Sequence, residues 1–150
     1  MIPAAPLTPR VAWVTGAILI GLYLGHAAIF GGYVADDAGI SLAYARNIAA
    51  GYGPVLYPGG EAVEGYSNPL WTAALALGTA LELDGADGVP LMKILGMLFG
   101  VATLILAGRT ARMAYPGDTR VGWLAPALLA SLTPFVFWTA AGMENGLYAP

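Results

Sequence analysis

The chain has 150 residues, of which 58% are apolar and 10% are charged, whereas soluble domains carry roughly 25% charged residues. A soluble domain of this length could not bury so much apolar surface, so lipid must solvate part of the chain. The absence of cysteine excludes disulfides, thiolate metal sites and a cysteine nucleophile, and the net charge of −3 argues against a nucleic-acid partner.

The first apolar segment covers residues 11–35 and contains no charged residue; Arg10 precedes it and Asp36-Asp37 follows it. It exceeds the about 20 residues that a helix needs to cross a hydrocarbon core, and it is longer than the apolar part of a signal peptide. We therefore predict an uncleaved transmembrane helix rather than a cleaved leader. A lone histidine in such a helix, His26, is expected to be a hydrogen-bonded packing residue rather than a ligand.

An outer loop, residues 36–89, follows this span, and a short amphipathic helix is predicted at its start, at about residues 37–50. Ile40, Tyr44 and Ile48 recur every four residues there, which is the spacing of one helix face. The loop is the largest hydrophilic part of the chain.

Two adjacent carboxylates, Asp36 and Asp37, open this helix. Asp36 is expected at the N-cap, and a capping acid followed by a second acid in the first turn would stabilise the helix without any catalytic role. Alternatively, one carboxylate acts as a base towards a hydroxyl, while the other binds a sugar hydroxyl or orients its neighbour. Capping explains one acid better than two, and both interpretations stay open on these residues alone.

A second short helix is predicted at about residues 69–83, after a stretch rich in Gly, Pro and Tyr. Its apolar part, residues 70–83, would rise only about 21 Å, which is short of a hydrocarbon core of roughly 30 Å. We therefore predict that it lies at the membrane interface. Tyr66 and Trp71 are either aromatic residues of the interfacial belt or part of a sugar site, and the sequence does not separate the two.

Two further spans are predicted at about residues 90–108 and 121–141. Pro126 and Pro134 lie in the second of them, where neighbouring helices can satisfy the carbonyls that a proline leaves free. Close helix packing is predicted at two Gly-x-x-x-Gly spacings, Gly21/Gly25 and Gly96/Gly100.

The placement of charge also favours three spans. If residues 69–83 do not cross, Arg109, Arg112 and Arg120 share one cytoplasmic loop and Arg10 lies on the same side, as the positive-inside tendency requires. The acidic residues that then lie outside are Asp36, Asp37, Glu61, Glu64, Glu82, Asp84, Asp87 and Glu144. We expect an all-α, polytopic transmembrane helix bundle in the plasma (inner) membrane, with its acidic loop on the non-cytoplasmic face.

The loop contains a recognisable pattern of residues. Asp36-Asp37 is followed by Ile-Ser-Leu-Ala-Tyr-Ala-Arg-Asn, by Gly-Tyr-Gly and by Pro-Gly-Gly-Glu-Ala-Val-Glu-Gly-Tyr-Ser-Asn-Pro-Leu-Trp. This resembles the first outer loop of GT-C fold glycosyltransferases, and it is most similar to the actinobacterial terminal arabinofuranosyltransferases of cell-wall assembly. Ala-Gly-Met-Glu-Asn at residues 141–145 resembles a later element of these enzymes, with Met143 and Asn145 replacing the usual leucine and threonine.

The resemblance implies an integral membrane enzyme that transfers a sugar from a polyprenyl-phosphate donor to a hydroxyl of a glycan or another acceptor. It assigns the catalytic base to Asp36 or Asp37, with Asp36 slightly preferred because Asp37 is expected to begin the helix. The candidate residues for substrate binding are Arg46, Glu64, Tyr66, Lys93 and Glu144, and the resemblance implies that Arg46 and Lys93 hold the lipid phosphate. No metal ligand is implied, although a divalent metal cofactor stays open.

Members of this family have eight or more spans, so we expect the chain to be the N-terminal part of an enzyme that is inactive on its own. Two alternatives remain. A transporter fragment would place acids near the membrane midplane, whereas the acids here lie in loops or at span ends. A small non-catalytic membrane protein would leave the clustered acids, the arginine and the aromatic loop unexplained. Membrane lipid is an expected partner in every case.

Overall fold

The computed structural model describes residues 8–85, 87–116 and 118–148, and every regular element in these ranges is a helix. The helices are α1 (Pro9–Ile29), α2 (Asp36–Ala49), α3 (Pro69–Ala80), α4 (Val89–Ala114), α5 (Val121–Ser131), α6 (Thr133–Ala140) and α7 (Asn145–Tyr148). The expectation of an all-α fold is therefore confirmed.

Two of these helices, α1 and α4, are long and apolar enough to cross a membrane. Helices α5 and α6 meet the same requirement only as a pair, and they are bent by 64° at their junction. The pair is either a broken span or a re-entrant element, which makes two candidate spans, or three if the pair counts as one. The continuous helix predicted over residues 121–141 is thus interrupted, at Leu132.

Helix α1 ends at Ile29 rather than at residue 35, where the charge-free segment ends. A turn follows it, in which the N–H groups of Phe30 and Gly31 donate to carbonyls three residues earlier, at 3.0 and 3.1 Å. Gly31 and Gly32 have low helix propensity, which favours termination here. The segment stays apolar beyond the helix, so the prediction from the absence of charge made the helix too long.

The break between α5 and α6 is stabilised by α1. Pro134 has no N–H group, so the carbonyl of Ala130 lacks the donor that a continuous helix would supply. Nδ1 of His26 lies 3.2 Å from this carbonyl oxygen, and Nδ1 must carry the proton because a carbonyl can only accept. The expectation that His26 is a hydrogen-bonded packing residue is confirmed.

Tyr23 joins α1 to α6 in the same region. Its side chain is fully buried, and its hydroxyl donates to Oγ1 of Thr139 at 2.8 Å. The apolar residues buried around it are Ala27, Leu104, Ala130, Val136 and Ala140. This cluster joins α1, α4, α5 and α6 into one packed unit.

The glycines of α4 allow this packing. A Cβ atom at Gly96 would meet the backbone carbonyl of Thr139, and one at Gly100 would meet the Tyr23 hydroxyl. The predicted close contact at Gly96/Gly100 is therefore confirmed. Gly21 and Gly25 have nothing within 4 Å of an added Cβ, so the corresponding prediction for that pair is wrong within the described chain.

A second core joins α2, α3 and the start of α4. Its buried residues are Ala35, Ala38, Leu42, Ala45, Trp71, Leu75, Ala76, Leu91, Met92 and Ala141. Asn68 caps α3, since its side chain accepts a hydrogen bond from the N–H of Trp71 at 3.1 Å. Helix α3 has 12 residues and rises about 18 Å, which is too short for a core of roughly 30 Å.

Candidate functional site

A cavity of about 190 Å³ opens where α2, the loop before α3 and the segment after α6 meet. Its lining residues are Asp37, Ile40 and Ser41 from α2, Gly65, Tyr66 and Ser67 from the loop, and Met143 and Glu144 from the segment after α6. Three separate parts of the sequence thus supply two carboxylates, two serine hydroxyls and one phenol to a single cavity.

The geometry of α2 decides which of the two aspartates faces this cavity. Asp37, Ile40 and Ser41 are separated by three or four residues and therefore share one face of the helix. Asp36 is turned by about 100° from Asp37 and does not line the cavity. The slight preference for Asp36 as the base stays a prediction, and Asp37 is the carboxylate that lines the cavity.

The predicted N-cap role of Asp36 is wrong. Asp36 is the first residue of α2, Ala35 is the N-cap, and no side chain caps this N-terminus by a hydrogen bond. Both aspartates lie in the first turn, where the positive end of the helix dipole stabilises negative charge. The two aspartates therefore have a structural role through their position at the positive end of the helix dipole, but they do not cap the helix.

Glu144 forms the opposite wall and is only 9% exposed. The hydroxyl of Ser67 donates to its Oε1 at 2.8 Å. A hydrogen bond to a carboxylate is stronger than one between neutral groups, so it restricts the orientation of the buried side chain. Asp37, by contrast, is exposed to solvent.

Backbone contacts hold these two walls together. The N–H of Ala35 donates to the carbonyl of Ala141 at 3.0 Å, which ties the start of α2 to the end of α6. Gly142 follows with φ +85, a left-handed conformation that other residues rarely adopt. A Cβ atom at Gly142 would lie 3.5 Å from the Cβ atoms of both Ala38 and Met92. The turn that leads to Glu144 is therefore packed directly on α2 and α4.

The loop wall is held by Tyr44 of α2. This side chain is buried, and its hydroxyl donates to the carbonyl of Val63 at 2.9 Å. Its ring also packs edge-on against Tyr66, with centroids 4.9 Å apart. A Cβ atom at Gly65 would lie 2.5 Å from the Tyr44 hydroxyl, so only glycine fits there without a shift. Tyr66 is thereby positioned as a half-buried aromatic surface beside the cavity.

Of the seven predicted site residues, the cavity brings together Asp37, Tyr66 and Glu144. Arg46 follows Asp37 by nine positions, which places it on the opposite face of α2, about 180° away. Glu64 is exposed on the loop and, like Asp36, does not line the cavity.

Lys93, the remaining predicted residue, also lies outside the cavity wall. Its ammonium donates to three backbone carbonyls, those of Phe30 at 3.5 Å, Ala140 at 3.0 Å and Tyr33. Three acceptors match the three N–H donors of a lysine. This arrangement argues against the predicted contact of Lys93 with a lipid phosphate, because its donors already have protein partners.

Ser41, Ser67 and Met143 line the cavity but were not among the predicted site residues. Serine is common in loops and helices, and the pairing of Ser67 with Glu144 spans 77 residues of sequence. The signal that could have found it is the position of Ser67 directly beside Tyr66, just before the Asn68 cap.

Within the described ranges, no group of three or more His, Cys, Asp or Glu side chains is arranged to hold a metal ion. Comparisons of the chain with protein-family models, curated proteins and solved structures gave no match.

What the cavity can do therefore follows from its own chemistry. Two carboxylates and two hydroxyls can accept and donate hydrogen bonds to a polyhydroxylated group, and an exposed carboxylate can take up a proton.

Proposed function

We propose that this chain carries the acceptor-side site of a GT-C-type membrane glycosyltransferase, in which Asp37 is the catalytic base. The full enzyme transfers a sugar from a polyprenyl-phosphate donor to an acceptor hydroxyl on the non-cytoplasmic side of the membrane. The observation that carries the proposal is the meeting of Asp37, Tyr66 and Glu144 in one cavity, because the sequence predicts all three as site residues from separate parts of the chain.

The charge of the cavity supports an uncharged ligand. Both charged residues among its described lining residues are acidic, and none is basic. Two carboxylates repel a phosphate and accept hydrogen bonds from hydroxyl groups. The cavity thus suits the acceptor, while the phosphate of the donor lies elsewhere.

The size of the cavity supports a small ligand group. Its volume of about 190 Å³ is below the roughly 300–1,000 Å³ of sites that enclose drug-sized molecules. It therefore suits one sugar ring or a single hydroxyl-bearing group rather than a complete lipid-linked donor. The ring of Tyr66 offers an apolar surface for the C–H face of such a ring.

The chemical step assigns a role to each carboxylate. Asp37 accepts the proton of the acceptor hydroxyl, and the oxygen attacks the anomeric carbon of the donor sugar as the bond to the phosphate oxygen breaks. The electron pair leaves on polyprenyl phosphate, which is a stable anion and needs no acid. Glu144, held by Ser67, accepts a hydrogen bond from a neighbouring sugar hydroxyl and orients the acceptor.

The test uses the full-length protein in membrane vesicles, supplied with polyprenyl-phosphate sugars and hydroxyl acceptors. We expect acceptor-dependent release of polyprenyl phosphate and formation of a glycosylated acceptor, with vesicles lacking the protein as the control. If no donor among the pentose and hexose polyprenyl phosphates is consumed above the control level, the proposed function is wrong.

A further inference from the structure

The side chain of Lys93 connects α4 to the ends of two other helices. It is the fifth residue of α4, and its half-buried ammonium donates to the carbonyls of Phe30, Tyr33 and Ala140. None of these carbonyls belongs to α4 itself, so the side chain joins three helices of the fold.

The three carbonyls lie at or just after helix ends. Phe30 is the C-cap of α1, Tyr33 lies in the connection that follows it, and Ala140 is the last residue of α6. Carbonyls at a helix C-terminus lack partners within the helix and carry the negative end of its dipole. A single ammonium therefore satisfies two helix ends at once and holds them beside each other.

Both helix ends lead directly to the cavity. Asp37 lies four residues after Tyr33, and Glu144 lies four residues after Ala140. The N–H of Ala35 donates to the carbonyl of Ala141 within the same connections. A change in the distance between the two helix ends would therefore move the two carboxylates relative to each other.

We propose that Lys93 is a positioning residue, which sets the separation of Asp37 and Glu144 across the cavity by holding the ends of α1 and α6 together. Its consequence for catalysis rests on the proposed function, whereas its effect on the distance between the two walls does not. The two parts can therefore be tested separately.

The geometric test uses the absence of native cysteine. Nitroxide labels are placed at Ala50→Cys, at the end of α2, and at Asn145→Cys, beyond Glu144; both positions are exposed. Pulsed electron paramagnetic resonance then gives the distribution of distances between the labels. Lys93→Met, which keeps an unbranched side chain but is one heavy atom shorter and has no donor, is expected to broaden this distribution, and Lys93→Arg is expected to keep it narrow.

A matched control is Thr103→Val on the same helix. Its hydroxyl donates only to the carbonyl of Phe99 within α4, so its loss removes a hydrogen bond without releasing α1 or α6. The control distribution should equal that of the wild type. If the Lys93→Met protein fails to insert into the membrane, Lys93→Gln, which keeps two donors, is measured instead. Its distribution of label distances should be broader than that of Lys93→Arg. If the variant that is measured, Lys93→Met or Lys93→Gln, gives the same distribution of label distances as the wild type, the proposal is wrong.

The catalytic part is tested by steady-state kinetics of the full-length enzyme. Misplacement of reacting groups by about 1 Å can cost on the order of 10²-fold in rate, so Lys93→Met should lower kcat by about 10- to 10²-fold. KM for the lipid-linked donor should change little, and Lys93→Arg should recover most of kcat. A raised KM for the donor at unchanged kcat would show phosphate binding instead and would overturn the positioning role. A wild-type protein without transferase activity would refute the proposed function, while the label distances would still decide the role of Lys93.

Discussion

At the scale of single residues, the hydrogen bond from the Ser67 hydroxyl to Oε1 of Glu144 joins the loop before α3 to the segment after α6 at the wall of the cavity. Asp37 and Tyr66 could be predicted from the pattern of acids and aromatic residues in the loop, and Glu144 from its place at the outer end of the third predicted span. Ser67 could not, since its hydroxyl meets Glu144 across 77 residues of sequence and only the packed turn at Gly142 brings them together. Asp36, expected at the N-cap, is instead the first residue of α2, and it does not line the cavity.

The bond between Ser67 and Glu144 yields a prediction for stability. Ser67→Ala removes the donor from a buried carboxylate, and we expect a loss of about 1–3 kcal/mol in the free energy of unfolding. Ser67→Thr keeps a hydroxyl and should lose less. Equilibrium unfolding in mixed detergent micelles measures both.

The matched control is Ser131→Ala. The hydroxyl of Ser131 is exposed and donates only to carbonyls of its own helix. Its loss should stay within about 0.5 kcal/mol, as for most surface substitutions. Equal losses for Ser67→Ala and Ser131→Ala would show that the bond to Glu144 contributes nothing to stability.

At the scale of helices, apolar length predicted where helices lie better than where they end. The segments assigned to α1 and α4 do contain helices long enough to span a membrane, but α1 stops at Ile29 and the third segment is broken. The two prolines of that segment were visible in the sequence. The bend of 64° was not, and neither was the contact from His26 of α1 to the carbonyl that Pro134 leaves without a donor from its own helix.

This break gives a prediction in the form of a double-mutant cycle. His26→Ala leaves the carbonyl of Ala130 without its donor. We expect the free energy of unfolding to fall by about 1–3 kcal/mol, which is the cost of an unsatisfied carbonyl. The loss is nearer roughly 0.6 kcal/mol if the bond has the average strength of hydrogen bonds between membrane helices. Pro134→Ala restores an N–H group at the second residue of α6, so His26→Ala should cost less in that background. The same cost in both backgrounds, measured by equilibrium unfolding, would contradict this account of the break.

At the scale of the whole molecule, the bounds of the helices are compatible with the topology predicted from the lengths of the apolar segments and the positions of the charged residues. The 12 residues of α3 rise about 18 Å, and a hydrocarbon core needs roughly 30 Å. Residues 36–89 are therefore predicted to stay on one side of the membrane. Arg109 and Arg112 in the last turns of α4, together with Arg120 in the loop that follows, then predict that this side is the outer one.

Cysteine accessibility tests this topology on a chain that has no cysteine of its own. Glu61→Cys and Asp87→Cys should both react with a membrane-impermeant thiol reagent added outside, because they lie before and after α3 on the same side. Asp118→Cys should react only after permeabilisation. Opposite accessibility of positions 61 and 87 would mean that α3 spans the membrane.

The proposed function requires Asp37, and not its neighbour Asp36, to be the catalytic base. The measurement is the single-turnover rate of sugar transfer by the full-length enzyme at saturating lipid-linked donor, for Asp37→Asn and for Asp36→Asn. Both substitutions keep shape and remove one charge from the first turn of α2, so they serve as controls for each other. Asp37→Asn should lower the rate on the order of 10²–10⁴-fold, as expected for loss of a general base. Asp36→Asn should retain most of the wild-type rate, whereas normal turnover by Asp37→Asn would contradict the account.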